Sequence, residues 1–416
     1  MIREYIRRKF RRAFATRYIF FSVFADKIFF FIYFLLLARL FDKLVYGEII
    51  TVFTFCNIAA FFVSLGIPVY IQRTVAINKF NSTKEINITL FILTLLIFIY
   101  FPLILFITIS IYPSIELIVI LLIGIIVYLF NYISLINSIY NGLEEYKKFF
   151  QLLFTVKFIG LFIIILLYYY KITNVNFFLF ALLITVLSQF LLQIIFVRVR
   201  YFKFSFKGIR LIYVKELLLV LLPLYLASVF NFMYDKIDVL LISKFIGFQE
   251  VANYSIAYGI YKSTAIFFMP LLVSGYTKIS YLSNRNFAVI IFIRKYVTLI
   301  SIICFIIIIF ILIFSQYIIV FLYSSKFIES TSVLRILSIA VIFMGLNNLL
   351  GSVLNGLGKF KENRNVTLIC LLINVLLNII FIPVYGIIAA AIITVLTEFL
   401  VMIGDAYYLR KFIFMK

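Results

Sequence analysis

The 416-residue chain is 66% hydrophobic and 13% charged, with a mean hydropathy of +1.20, whereas a soluble domain is about 45–50% apolar and about 25% charged; this composition excludes a soluble globular protein. Lys and Arg number 38 against 16 Asp and Glu, a formal charge of +22, but the cations lie in short segments between apolar runs, which points to membrane topology and away from nucleic acid. The absence of His removes the commonest general base and metal ligand, and Cys56, Cys304 and Cys370 lie in apolar runs without CxxC spacing, which argues against an enzyme, a metal site or a disulfide frame.

Residues 1–17 form a basic amphipathic segment: Arg3, Arg7, Arg8, Lys9, Arg11 and Arg12 accompany Ile2, Ile6 and Phe10 on another face, as in a helix lying along the inner leaflet. The apolar run that follows is a full span without a small-residue cleavage site, so it is expected to stay. Cutting at polar and Pro/Gly-containing turns gives twelve runs, near 18–38, 47–70, 86–109, 114–140, 149–170, 176–197, 217–243, 251–277, 290–314, 332–356, 365–382 and 386–409. Each can cross a bilayer core of about 30 Å at about 1.5 Å per residue. Backbone groups must be paired within each segment in lipid, so these are expected to be helices. The great majority of Lys and Arg fall at the N-terminus, in even-numbered loops and in the tail. That bias predicts a multi-pass protein of the plasma or inner membrane with both termini cytoplasmic.

The chain also resembles itself. Asp26-Lys27-Ile28 and Asp235-Lys236-Ile237 stand 209 residues apart, while Asn141-Gly142-Leu143 and Asn355-Gly356-Leu357 stand 214 apart, each close to half the length. The expected organisation is an N-lobe of helices 1–6 (18–197), a basic linker (198–216), a C-lobe of helices 7–12 (217–409) and a tail (410–416). Six helices per half give both repeats one orientation, the parallel-repeat plan of transporters. The fold class is thus all-α integral membrane: twelve transmembrane helices in two pseudo-symmetric six-helix lobes.

Ten ionisable residues fall within the spans: Asp26, Lys27, Lys157, Asp235, Lys236, Asp238, Lys262, Arg335, Glu398 and Asp405. Exposing all to lipid would cost about 25–35 kcal/mol at about 2.5–3.5 each, so they must face protein or a watery cavity. Ser228, Asn231, Asp235 and Asp238 lie at spacings of three, four and three on one helical stripe. Lys27, Lys157, Lys236, Lys262 and Arg335 suit a cavity that attracts phosphate; the alternative is that each cation neutralises a neighbouring carboxylate. Asp26 and Lys27 lie about 100° apart on their helix, so their partners must come from other helices. Tyr254, Tyr258, Tyr261 and Lys262 cluster on one face, which suits a sugar phosphate, although tyrosines filling a helix interface are the better-supported reading. Asn131, Ser134, Asn137 and Asn141, and Asn374 with Asn378, are explained by interhelical hydrogen bonds. Glu398 and Asp405, with Thr394 on the same face, are candidate coupling groups for H⁺ or Na⁺. Gly356-Leu357-Gly358-Lys359 lacks the spacing of a P-loop, so no nucleotide is expected.

Several segments together are similar to one known family. These are Ala38-Arg39-Leu40 with Tyr46-Gly47 and Gly66-Ile67-Pro68; Asp235-Lys236-Ile237-Asp238-Val239-Leu240 with Tyr254; Leu354-Asn355-Gly356-Leu357-Gly358-Lys359; and Asn374 with Ile382-Pro383-Val384-Tyr385-Gly386-Ile387. They resemble polysaccharide-unit flippases of the multidrug/oligosaccharidyl-lipid/polysaccharide exporter superfamily. The resemblance implies two six-helix lobes around a central cavity, alternating access, an oligosaccharide on polyprenyl diphosphate as substrate, and a cationic cavity for the diphosphate. On that reading Lys27, Lys236 and Lys262 hold the diphosphate, Lys157 and Arg335 mark the ways in and out, and Tyr258 meets the glycan. Asp26, Asp235 and Asp238 balance charge. Partners would be the lipid-linked glycan, membrane lipids and glycan polymerases or glycosyltransferases, with no cofactor beyond a coupling ion. Some relatives have fourteen spans, and the lipid II flippases use cavity arginines where this chain has lysines. Two alternatives stand beside this reading: a cation-coupled multidrug extruder of the same fold, and a membrane-embedded glycan polymerase or ligase, whose outer loop at 315–331 would offer only Lys326 and Glu329.

Overall fold

The computed structural model describes residues 2–205, 211–268 and 286–414, and these hold twelve α-helices and no strand. They are α1 (Ile2–Leu40), α2 (Lys43–Ser64), α3 (Ile67–Asn78), α4 (Thr83–Ile111), α5 (Leu117–Leu143), α6 (Tyr146–Tyr169), α7 (Val175–Arg200), α8 (Leu211–Phe245), α9 (Phe248–Ser263), α10 (Asn286–Tyr323), α11 (Ser330–Gly356) and α12 (Phe360–Phe414). Among the described residues, nine segments are long and apolar enough to cross a membrane. Apolar side chains such as Phe98 and Phe106 on α4, and Phe305 and Phe310 on α10, are left exposed, as lipid-facing surfaces require. This is an all-α, multi-pass membrane protein.

The twelve expected runs map onto these helices with four informative differences. The basic opening is continuous with the first span in α1. The second run is divided between α2 and α3 by Leu65 and Gly66, whose φ angles are 51° and 68°. Pro68 has no N–H to donate into the preceding turn, so the helix stops and restarts with Pro in its first turn and Gly66 in the left-handed conformation glycine favours. The eighth run is helical only to Ser263, followed by a 3₁₀ turn at Thr264–Phe267, and its remainder lies beyond the described residues. The last two runs keep the division expected of them: within α12 two helices meet at Gly386, whose φ 67°, ψ −151° is non-helical, three residues after Pro383. The outer connection expected at 315–331 is shorter, because α10 extends to Tyr323 and only a 3₁₀ turn, Ser325–Phe327, precedes α11.

Two compact units emerge from the contacts: residues 1–42 with 52–228, and residues 43–51 with 229–416. In unit 1, Ile67, Ile71 and Val75 of α3 pack with Leu135, Ile136 and Ile139 of α5 and Leu93 of α4 in one core. In unit 2, Val333, Leu334, Leu337 and Val341 of α11 are fully buried. The start of α2 belongs to unit 2 because Lys43 pairs with Glu329 and Tyr46 meets Phe327 edge to face.

Candidate functional site

Each unit buries one polar cluster. In unit 1, α1 presents Asp26 and Lys27, and α6 brings Lys157 to the midpoint of its length. Lys157 Nζ lies 2.9 Å from Asp26 Oδ1 and over the rings of Phe29 and Phe30, at 4.5 and 4.4 Å. The lysine is 4% exposed and the aspartate 41%, so the cation is inside and its counter-ion faces outward. Together with Lys27, Ser22, Asn137 and Gln189 they line a cavity of about 330 Å³. Lys27 is exposed and forms no ion pair among the described residues. Asn137 Oδ1 and Gln189 Oε1 are buried without a hydrogen-bond partner, leaving two acceptors for a ligand's hydroxyls or for water. Lys157 thus shares one cavity with Asp26 and Lys27, where the sequence suggested a separate access point. The companion residue Asn131 does bond between helices, donating to Ala60 O at 3.1 Å.

Unit 2 holds a ladder of three carboxylates and three tyrosines. Tyr254, Tyr258 and Tyr261 share a face of α9 by their spacing of four and three, and each hydroxyl donates to a different carboxylate. Tyr254 reaches Asp238 Oδ2 at 2.8 Å, Tyr258 reaches Asp235 Oδ1 at 2.8 Å, and Tyr261 reaches Glu398 Oε1 at 3.2 Å. Lys262 completes the face, lying 2.8 Å from Asp235 Oδ1 and 3.7 Å from Glu398 Oε1. Lys236 lies 3.3 Å from Asp235 Oδ2. Asp238 is 5% exposed and also accepts from Thr394 Oγ1 at 3.1 Å and Asn378 Nδ2 at 2.9 Å. Asn378 gives its other N–H to Asn374 Oδ1. Three hydrogen-bond donors from α9 and α12 thus converge on this one buried carboxyl group.

The ladder changes the expected roles of several residues. Tyr258 is only 8% exposed, its hydroxyl is engaged by Asp235, and its ring stacks on Tyr254 at 5.6 Å, leaving little surface for a sugar. Asn378 is a ligand of Asp238 as well as an interhelical bond. Glu398 and Thr394 join the cluster, whereas Asp405 stays apart: it is 1% exposed, its Oδ1 has no partner, and it faces the backbone near Gly351. Arg335 donates from Nε to Ser315 Oγ at 2.9 Å and contacts no member of the ladder. The side chain of Ser228, on the expected stripe with Asp235, lies outside the described residues. Asn347 was missed by sequence reasoning; its Nδ2 donates to Glu398 Oε2 at 2.6 Å and to Glu398 O at 2.9 Å. An Asn-Asn pair at 347–348 inside an apolar helix was the available signal. No group of three or more His, Cys, Asp or Glu suited to a metal ion occurs among the described residues.

The family described as polysaccharide biosynthesis protein matches residues 15–275, and the MatE family matches residues 223–380. The uncharacterized membrane protein MJ1068 of Methanocaldococcus jannaschii is 32% identical over 90 residues, which is 22% of this chain and 18% of that protein. The alignment therefore spans less than a fifth of that curated relative. Among solved structures, an inward-facing MATE-family multidrug resistance transporter of the MOP superfamily superposes with a TM-score of 0.73 at 15% identity, covering 95% of this chain and 94% of the other. The lipid II flippase MurJ in its inward closed conformation superposes with a TM-score of 0.68 at 18% identity, covering 96% and 87%. At such identities the likeness is one of fold.

Proposed function

Since this chain belongs to the polysaccharide biosynthesis protein family, we propose that it is a flippase carrying a polyprenyl-diphosphate-linked oligosaccharide from the cytoplasmic to the outer leaflet by alternating access. The observation that carries the reading is the pair of polar clusters, each holding lysines, in a chain with nine membrane-length apolar segments among its described residues and a fold like that of a lipid II flippase. Lys27 and Lys157 of the unit 1 cluster, and separately Lys236 and Lys262 of the unit 2 cluster, are the cations we assign to meeting the diphosphate during the cycle, and Arg335 is a peripheral cation. Asn137 and Gln189 offer acceptors to sugar hydroxyls. Asp26, Asp235, Asp238, Glu398 and Asp405 are the groups through which a proton or Na⁺ would be exchanged during the cycle. The distribution of Lys and Arg supports cytoplasmic termini, and the proposed activity is transport of the intact lipid-linked glycan, with polymerases or glycosyltransferases acting before or after it.

The test is leaflet transfer of a fluorescent polyprenyl-diphosphate oligosaccharide in liposomes containing only this protein, with an impermeant quencher outside. Quenching beyond about half the pool, the share of the outer leaflet, is the expected result. Absence of transfer by folded protein, across several glycans and with imposed H⁺ and Na⁺ gradients, would overturn the reading. A second reading, a cation-coupled multidrug extruder, is favoured by one observation: the unit 2 ladder sets Asp235, Asp238 and Glu398 against two lysines, and all of these except Glu398 lie within the MatE match. A drug-susceptibility panel on a deletion strain separates the two. A broad shift with unchanged surface glycan supports the extruder.

A further inference from the structure

Aromatic side chains of α1 and α6 form a continuous wall. Phe21, Phe24 and Ile28 of α1 and Phe150, Phe154 and Phe158 of α6 line an apolar groove of about 220 Å³. Phe24 and Phe154 are 40% and 48% exposed, so the groove is open along its length. Tyr18 meets Phe150 at 5.9 Å and Asp26 meets Lys157 at 2.9 Å, so the two helices run parallel in a constant register. Phe150, Phe154 and Phe158 follow at every fourth residue with ring centroids 5.5 and 6.1 Å apart, a ladder about 12 Å long at the helical rise.

Exposed phenylalanine on a membrane helix is ordinary, because lipid is as apolar as the side chain. The floor of this groove is not. Lys157 lines both the groove and the polar cavity of unit 1, and it is the one residue shared between the two walls. Its ammonium has three N–H donors but a single oxygen partner among the described residues, Asp26 Oδ1. A cation where an apolar slot meets a polar cavity complements an amphiphile whose anionic head begins where its chain ends. The ring faces of the slot offer an apolar wall to the chain of such an amphiphile.

We propose that the α1–α6 groove seats the head-proximal part of the isoprenoid chain while its diphosphate lies on Lys157 and Lys27 in the adjoining cavity. The identity of this amphiphile rests on the flippase reading above. Lys157 then joins the two subsites, and Asp26 holds its ammonium in place until a phosphate arrives.

The experiment uses the full chain in phosphatidylcholine proteoliposomes with a polyprenyl diphosphate carrying a diazirine near its head. Adducts are mapped after photolysis, and leaflet transfer is measured on the same preparation. Adducts should concentrate on the groove phenylalanines and be competed by unlabelled polyprenyl diphosphate but not by phosphatidylglycerol. The double variant Phe154→Ala with Phe158→Ala, two exposed positions where the fold is not at stake, should weaken capture about tenfold, ~1.4 kcal/mol. Equal competition by phosphatidylglycerol would assign the groove to an ordinary phospholipid and overturn the proposal. So would adducts spread over exposed residues such as Phe98 and Phe305. Transfer without groove adducts overturns the groove and leaves the flippase standing. Groove adducts without transfer of any glycan support the lipid site and overturn the flippase.

Discussion

The tripeptide Asp-Lys-Ile occurs once in each unit, and its two copies have opposite surroundings. In unit 1 Asp26 is half open and its partner Lys157 is buried at 4% exposure among aromatic rings. In unit 2 Asp235 and Lys262 are each 31% exposed, and the buried member is a second carboxylate, Asp238, held by a tyrosine, a threonine and an asparagine. The first copy exposes its carboxylate and buries a lysine; the second has a carboxyl group buried among neutral donors. Identical local sequence therefore carries different electrostatics, because the partners come from other helices.

The contrast is most sharply tested by removing each carboxylate. Asp238→Leu removes the acceptor of three buried donors, of which Thr394 keeps Ala390 O as an alternative, and at about 1–3 kcal/mol for each donor left unpaired should lower stability by about 3 kcal/mol in thermal unfolding in detergent. Asp26→Leu strands Lys157, but the open side of that pair admits water, so the loss should be about 2 kcal/mol, below the about 3–5 of a fully buried pair. The double variant Asp26→Leu with Lys157→Met should recover most of it. Equal losses at Asp238 and Asp26, or no recovery in the double variant, would remove the distinction between the two settings.

The repeated lysines sharpen it from the functional side. Lys27 is exposed and Lys236 is 35% exposed, so Lys27→Ala with Lys236→Ala should leave unfolding within about 0.5 kcal/mol of wild type. Transfer of the lipid-linked glycan should fall about tenfold, the loss expected of a charge-assisted bond of about 1.5 kcal/mol. Wild-type transfer at normal protein levels would exclude both lysines from the diphosphate site.

The smallest effect belongs to a pair outside both clusters. Lys43 and Asn253 donate to Glu329 at the start of α11, and these hydrogen bonds hold its carboxyl below the usual glutamate range. A lowered folded value means the contribution is fully present above the ordinary glutamate pKa of about 4.3 and drains away as pH falls through the folded value. The Glu329 side chain is 60% exposed, so the contribution should stay under about 1 kcal/mol. Glu329→Gln should narrow the difference in unfolding midpoint between pH 6 and pH 3.5; an unchanged difference would remove Glu329 from the acid response.

Much of this was legible in the residues. Twelve apolar runs, their helical state and the ten ionisable residues inside them follow from hydropathy and from the need to pair every backbone group in lipid. Asp26, Lys157, Asp235, Lys262, Asp238 and Glu398 were all on that short roster, and all fall in the two clusters. Arg335 and Asp405 were on it too, and the structure leaves them apart. Asn347 was not singled out, although an amide pair inside an apolar helix is as expensive to leave unpaired as a hydroxyl. The breaks at Gly66 and Gly386 were both visible as glycine near proline; Gly66 falls inside the second expected run, whereas Gly386 stands where the last two runs were expected to divide.

What the sequence determined by itself was the class of molecule and the cast of charged residues, because burial in lipid penalises every unpaired polar group wherever it sits. What only the tertiary structure decided was the pairing. Asp26 and Lys157 are 131 positions apart, and Asp238 and Thr394 are 156. A helix presents its polar stripe to whichever neighbour packs against it, and the choice of neighbour is made by side-chain shape along the whole interface, which no single stripe encodes.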